Sequence, residues 1–240
     1  DEKGLREDVC ASFFFIALIT FILTVISYIF LNQLSVFLHV PHEVWGDMKG
    51  YLIVIFIGIP AIFLYNYFAS YLRAIGNSMT PLIFLAVSAI LNIALDLFFV
   101  IVLKLGVEGA AIATVISQYL SGIGISIYSL IKNIQVRAIM KLQYFHLKRV
   151  HKVISFSVLT CIQQSVMNLG ILMVQGLVNS FGTVVMAAFA AAVKIDAFAY
   201  MPVQDFGNAF STFIAQNYGA KEKMRIQSGL KSAVCLSMGF

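Results

Sequence analysis

The sequence predicts an all-α protein, a polytopic transmembrane helical bundle, and three observations carry that prediction. Hydrophobic residues make up 60% of the 240 positions and charged residues only 11%, with a mean hydropathy of +0.92; soluble domains are about a quarter charged. Apolar runs of membrane-crossing length recur between short polar breaks. Lys and Arg collect on alternate breaks, as they do in a chain threaded repeatedly through a bilayer.

The spans follow in order. The run CASFFFIALITFILTVISYIF supports span one at 9–32, and the run around Pro60 supports span two at 50–72, with a proline kink expected inside it. Span three, PLIFLAVSAILNIALDLFFVIVL, covers 81–103; a break at 104–108 then returns the chain into span four at 109–131 as an antiparallel neighbour. Spans five and six cover 153–178 and 184–215, with a proline kink expected at Pro202 inside the latter, and a seventh begins near 226. Each full span has the ~20 residues that a helix rising ~1.5 Å per residue needs to cross a ~30 Å hydrocarbon core.

Numbering the breaks alternately places Lys3, Arg6, Arg73, Lys132, Arg137, Lys141, Lys148, Arg149, Lys152, Lys221, Lys223, Arg225 and Lys231 on one side. Only Lys49 and Lys104 fall on the other, and Lys194 lies within span six. Positive charge marks the cytoplasmic side, so the N-terminal end is expected there, in a cell (plasma) membrane. The net charge of +5 is then a topology signal. The basic segment at 132–152 reads as an amphipathic connector on an anionic leaflet, and no nucleic-acid partner is expected.

The chain opens without Met in the charged segment DEKGLREDV and stops in an apolar run, so it is expected to be part of something longer. Residues 221–240 and 1–20 both pass from a charged helix start containing Glu-Lys into an apolar span, at an offset of 220. That offset predicts two pseudo-repeated six-helix lobes, both incomplete here, meeting in the basic connector. The predicted division is 1–131 in an N-terminal lobe, a cytoplasmic connector at 132–152, and 153–240 in a C-terminal lobe.

Within the spans, Asp96 stands out because an ionisable group in lipid is costly and marks a functional site by default. Asn92 lies one turn before it on the same helix face. Asp96 is ~10 Å from the outer end of its span, and Thr114 is ~8 Å in from the same side on the returning helix. An amide oxygen, a carboxylate and a hydroxyl at one depth are hard ligands for Na⁺, and the carboxylate alone can carry H⁺. The alternative is an interhelical hydrogen bond that only joins two helices. Lys194, near the middle of span six, has no partner on its own helix and either shapes a central cavity or pairs with another helix. Gln163, Gln164 and Asn168 on span five are open to cavity lining or to helix packing. Gly109, Ala113 and the small run Ala187 to Ala192 predict close helix contacts. His42, in an outer turn, reads as interfacial.

The stretch YLRAIGNSMTPLIFLAVSAILNIALDLFFVIVLKLGVEGAAIATVISQ, Tyr71 to Gln118, resembles the multidrug and toxic compound extrusion (MATE) family of secondary transporters. KIDAFAYMPVQDFGNAFSTFIAQNYGA, Lys194 to Ala220, resembles the same family's eighth helix. With the span pattern, the likeness covers the third helix to the start of the ninth in a twelve-helix protein. It implies that Asn92, Asp96 and Thr114 belong to an N-lobe cation site whose further acid, on the first helix, lies upstream of residue 1. It also implies an acid on the seventh helix in some members, where span five here has none.

The expected function is cation-coupled (Na⁺ or H⁺) antiport of organic, drug-like and mostly cationic compounds by alternating access, from a monomer in the bilayer. The alternative is a lipid-linked saccharide flippase of the same wider superfamily, which calls for several cavity-facing cations where only Lys194 qualifies. No enzyme activity and no cofactor are expected: the chain has no phosphate-binding Gly-rich loop, no nucleophile elbow and no His-Glu-x-x-His pattern.

Overall fold

The computed structural model describes residues 2–239, and for His42 and Leu142 the backbone alone, so the interfacial reading of the His42 side chain lies outside the described residues. Helices account for nearly all of the described chain, which is an all-α membrane bundle. In order they are α1 (Glu2–Ile29), α2 (Leu31–Phe37), α3 (Trp45–Ile57), α4 (Ile59–Ala74), α5 (Met79–Asp96), α6 (Gly106–Lys132), α7 (Leu147–Asn179), α8 (Thr183–Gly219) and α9 (Lys223–Ser237). Five are long and apolar enough to cross a membrane, and α3 with α4 forms a sixth, bent by 45°. α9 has 15 residues, short of the ~20 that crossing requires.

The bend in span two falls at Gly58, two residues before Pro60. Proline supplies no N–H to the preceding turn, while Gly58 itself keeps right-handed helical dihedrals, φ −75° and ψ −16°. One carbonyl at the break, that of Ile57, accepts a hydrogen bond from the Tyr119 hydroxyl of α6 at 2.9 Å. α8, by contrast, runs unbroken past Pro202.

The chain divides into two compact units, residues 1–180 and 181–240. In the first, Phe68, Ala69 and Leu72 of α4 bury against Ile125 of α6 and Val136 of the connector. The approach of α4 to α6 is set by a glycine: a Cβ on Gly122 would lie 2.5 Å from the Ala61 carbonyl oxygen. Backbone cannot move aside as a flexible side chain can, so Gly122→Leu is expected to push α4 off α6 and destabilise the bundle by roughly 1–3 kcal/mol or more. Denaturant-driven unfolding of the full-length protein in detergent checks this. Gly109 and Ala113 are buried as expected, whereas Ala187 to Ala192 are mostly exposed because α8 packs only on α9 within the second unit.

The connector folds into two 3₁₀ turns, Val136–Met140 and Leu142–Tyr144. Val136 and Ala138 are buried, while Met140 and, beyond the second turn, Leu147 are exposed. Arg137 donates from Nε to the Leu130 carbonyl at 2.8 Å and from Nη2 to that of Ile131 at 2.6 Å. A cation on the free carbonyls of a helix end satisfies both their hydrogen bonding and the helix dipole. α7, assigned from sequence to the C-terminal lobe, packs on α1 in the first unit.

Candidate ion-coupling site

α5 and α6 lie side by side because the turn between them is tight. Only 103–105 separates the helical segments, and Lys104 and Gly106 both take positive φ, 54° and 59°. The break is therefore shorter than the five residues expected, and α6 starts at Gly106. Deeper in, the Ser88 hydroxyl donates to the Ser117 carbonyl at 2.7 Å and ties the helices together.

One turn from Ser88 toward the turn, Asn92 Nδ2 donates to Thr114 Oγ1 at 3.5 Å, a long bond. Thr114 in turn donates to its own helix at the Ala110 carbonyl, 2.9 Å away. The Asn92 amide is thus committed as donor to Thr114, which leaves its carbonyl oxygen as an available ligand. Asp96 follows on the same face as the last residue of α5. Its Oδ1 is buried and has no hydrogen-bond partner. Buried polar atoms in folded proteins are nearly always paired, so an orphaned carboxylate oxygen calls for a guest cation or a proton.

Immediately after Asp96 the helix widens into a π segment, Leu97–Val102. The Leu103 amide donates to the Phe98 carbonyl five residues back, at 3.0 Å. Such insertions are rare and collect at functional sites, and this one ends α5 at the acid itself. Nothing in the apolar composition of LFFVIV distinguishes a π turn from an α turn, so it was not legible beforehand. Among the described residues no three His, Cys, Asp or Glu side chains cluster to hold a metal ion. One carboxylate with neutral oxygens suits a monovalent cation or a proton in place of a divalent metal.

Gln163, Gln164 and Asn168 are exposed on α7 in the first unit, and Lys194 is exposed on α8 in the second. The structure also brings together charges from the start of α1 and the start of α7. Glu7, 8% exposed, accepts from Arg149 Nε at 3.0 Å and Nη2 at 2.9 Å. Asp8 pairs with Lys152 at 3.2 Å and Arg149 at 3.4 Å, and His146 Nε2 lies 3.8 Å from Glu7. Adjacent acids in REDV facing a basic run in KRVHK were the available signal. Nearby, hydrogen bonds from Arg6 and Gln143 hold the Tyr144 phenol below the usual tyrosine range.

A bundle of membrane-length helices with an orphaned acid between two of them is a multi-pass membrane protein of the kind that includes the secondary transporters. The chain belongs to the MatE family: the family model matches residues 1–98 and 157–240. This is a family of transporters, not enzymes. Among relatives, the probable multidrug resistance protein YpnP of Bacillus subtilis (strain 168) is 30% identical over 204 residues, 82% of this chain and 44% of that protein. A second from the same organism, the probable multidrug resistance protein YoeA, is 28% identical over 247 residues, covering 99% of this chain and 53% of its own length.

The chain spans about half the length of the curated relatives it matches. In fold it matches an inward-facing multidrug resistance MATE family transporter with a TM-score of 0.79 at 19% identity, over 98% of this chain and 54% of the other. It also matches the Vibrio cholerae MATE transporter VcmN with a TM-score of 0.70 at 21% identity, over 98% of this chain and 57% of that one.

Proposed function

We propose that the full-length protein is a secondary active multidrug efflux transporter that exchanges organic, mostly cationic, compounds for Na⁺ or H⁺ by alternating access. The observation that carries the reading is the buried, unpartnered Asp96 oxygen beside the Asn92–Thr114 pair. Cation binding there stabilises whichever lobe conformation closes the oxygens around it, and a gradient of that cation then biases the transport cycle. The relatives named as multidrug resistance proteins support the substrate class. The thirteen-to-two charge distribution supports a plasma membrane orientation with the N-terminal end of this chain in the cytoplasm. The transporter acts as a monomer and needs no cofactor beyond its coupling ion.

Reconstitution tests the reading. Full-length protein in proteoliposomes is expected to move ethidium only when a Na⁺ or H⁺ gradient is imposed, and the gradient that works identifies the ion. Equal ethidium flux with neither gradient present would overturn coupling. Transport of a lipid-linked saccharide in place of ethidium would favour the flippase.

A further inference from the structure

A cavity of about 790 Å³ lies among α1, α4 and the start of α7. α1 lines it with Asp8, Ser12, Ile16 and Thr20, an i, i+4 series, so one stripe of the helix faces it over ~18 Å. That length is close to one leaflet, half of a ~30 Å hydrocarbon core.

The two ends differ in chemistry. At the Lys- and Arg-rich side of the membrane, Asp8 and Lys152 meet with Nζ 3.2 Å from Oδ2. Arg149 lies 3.4 Å from the other Asp8 oxygen, so the acid stays held if Lys152 swings toward a guest; the Lys152 side chain is 52% exposed. Farther in, Ile16, Phe63 and Phe156 make an apolar wall. Two of the lining hydroxyls are already engaged with each other: Tyr67 donates to the Val9 carbonyl at 2.7 Å and pairs with Ser12 at 3.0 Å. Asn66 donates to the Ile62 carbonyl at 3.0 Å. The groove therefore offers one anion and one cation at the water interface and a mainly apolar wall farther in.

An organic cation would meet Lys152 together with Asp8 and gain little from that balanced pair. A guest carrying both charges at one end and a leaflet-length tail matches every part of the groove. We propose that it holds one zwitterionic phospholipid from the leaflet on the Lys- and Arg-rich side. The phosphate sits on Lys152, the primary ammonium on Asp8, and an acyl chain runs along Ile16 and Phe63.

Native mass spectrometry of the delipidated full-length protein, titrated with phosphatidylethanolamine, phosphatidylcholine or phosphatidylglycerol, reads this directly. One phosphatidylethanolamine is expected to be retained about tenfold better than phosphatidylcholine, whose quaternary ammonium cannot donate the charge-assisted hydrogen bond to Asp8. Asp8→Asn is expected to erase that preference. Thr20→Trp, which blocks the inner end of the groove without touching the ion pairs, is expected to weaken lipid retention about tenfold by shortening the space for the acyl chain; it serves alone if Asp8→Asn fails to fold. Equal retention of all three lipids, tighter binding of phosphatidylglycerol, or a lipid unaffected by Thr20→Trp overturns the proposal. So does displacement of the lipid by ethidium, which would assign the groove to transported compounds.

Discussion

If the proposed function holds, Asp96→Asn in the full-length protein is expected to lower gradient-driven efflux by roughly 100-fold, the upper part of the usual range for coupling between two sites. Expression and membrane insertion should stay at the wild-type level. The asymmetry follows from the site. Asp96 Oδ1 makes no hydrogen bond, so replacing the carboxylate by an amide of the same shape breaks no contact of that oxygen. An amide is also less costly in lipid than an ion. What the change removes is the negative charge, and with it the differential affinity for a cation on which any gradient-driven bias depends.

The decisive measurement separates coupling from movement. Efflux against an imposed gradient should collapse in Asp96→Asn, while gradient-free exchange of labelled for unlabelled ethidium should survive. Retained gradient-driven efflux would remove Asp96 from the coupling role. Thr114→Val is expected to be milder, about tenfold, because it deletes one neutral ligand and leaves the charge in place. Ion titration of efflux by both variants ranks the two contributions.

The fold was legible because lipid makes few demands and makes them strongly. Every backbone polar group inside hydrocarbon must be satisfied locally, so a 20-residue apolar run has little choice but helix. Composition and Lys/Arg placement alone located the spans to within several residues at their ends. The details that escaped are those hydropathy does not encode. Pro60 announced a bend, yet the break sits at Gly58, where the freed Ile57 carbonyl is met by Tyr119 from a helix more than 50 residues away. The π segment after Asp96 has no compositional mark at all.

The candidate site was partly legible for a similar reason. Asn92, Asp96 and Thr114 are conspicuous as polar residues in apolar spans, and a short turn brings α6 back beside α5. The structure adds what spacing could not, that Asn92 reaches Thr114 while an oxygen of Asp96 stays unpaired. Glu7 and Asp8 were hidden by the opposite circumstance. Charges flanking a span normally sit in water at the interface, and only tertiary packing shows that a pair 142 residues apart in sequence has been buried.

That pair sets the second large effect. Arg149→Ala is expected to destabilise the full-length protein by several kcal/mol, toward the low end of the roughly 3–5 kcal/mol that breaking a buried ion pair costs. The Arg149 side chain keeps 30% exposure, and that solvent screens part of the interaction. The cost comes mainly from what remains: Glu7, its side chain 10% exposed, would keep a charge whose one remaining ion-pair partner among the described residues is His146, 3.8 Å away. Glu7→Gln should therefore cost less than Arg149→Ala, since Arg149 can turn to Asp8, 3.4 Å away, and to water.

A double-mutant cycle on denaturant unfolding checks the order. Glu7→Gln combined with Arg149→Ala should recover part of the single-mutant loss, because no uncompensated acid is left behind. The exchanged pair, Glu7→Arg with Arg149→Glu, should recover more in stability than either single reversal. If the two single losses simply add, α1 and α7 are not held together by this pair. If they couple, the acids at the start of α1 are part of what fixes α7 to the first unit, and any motion separating these two helices has to break an ion pair in which Arg149 donates twice to one Glu7 oxygen.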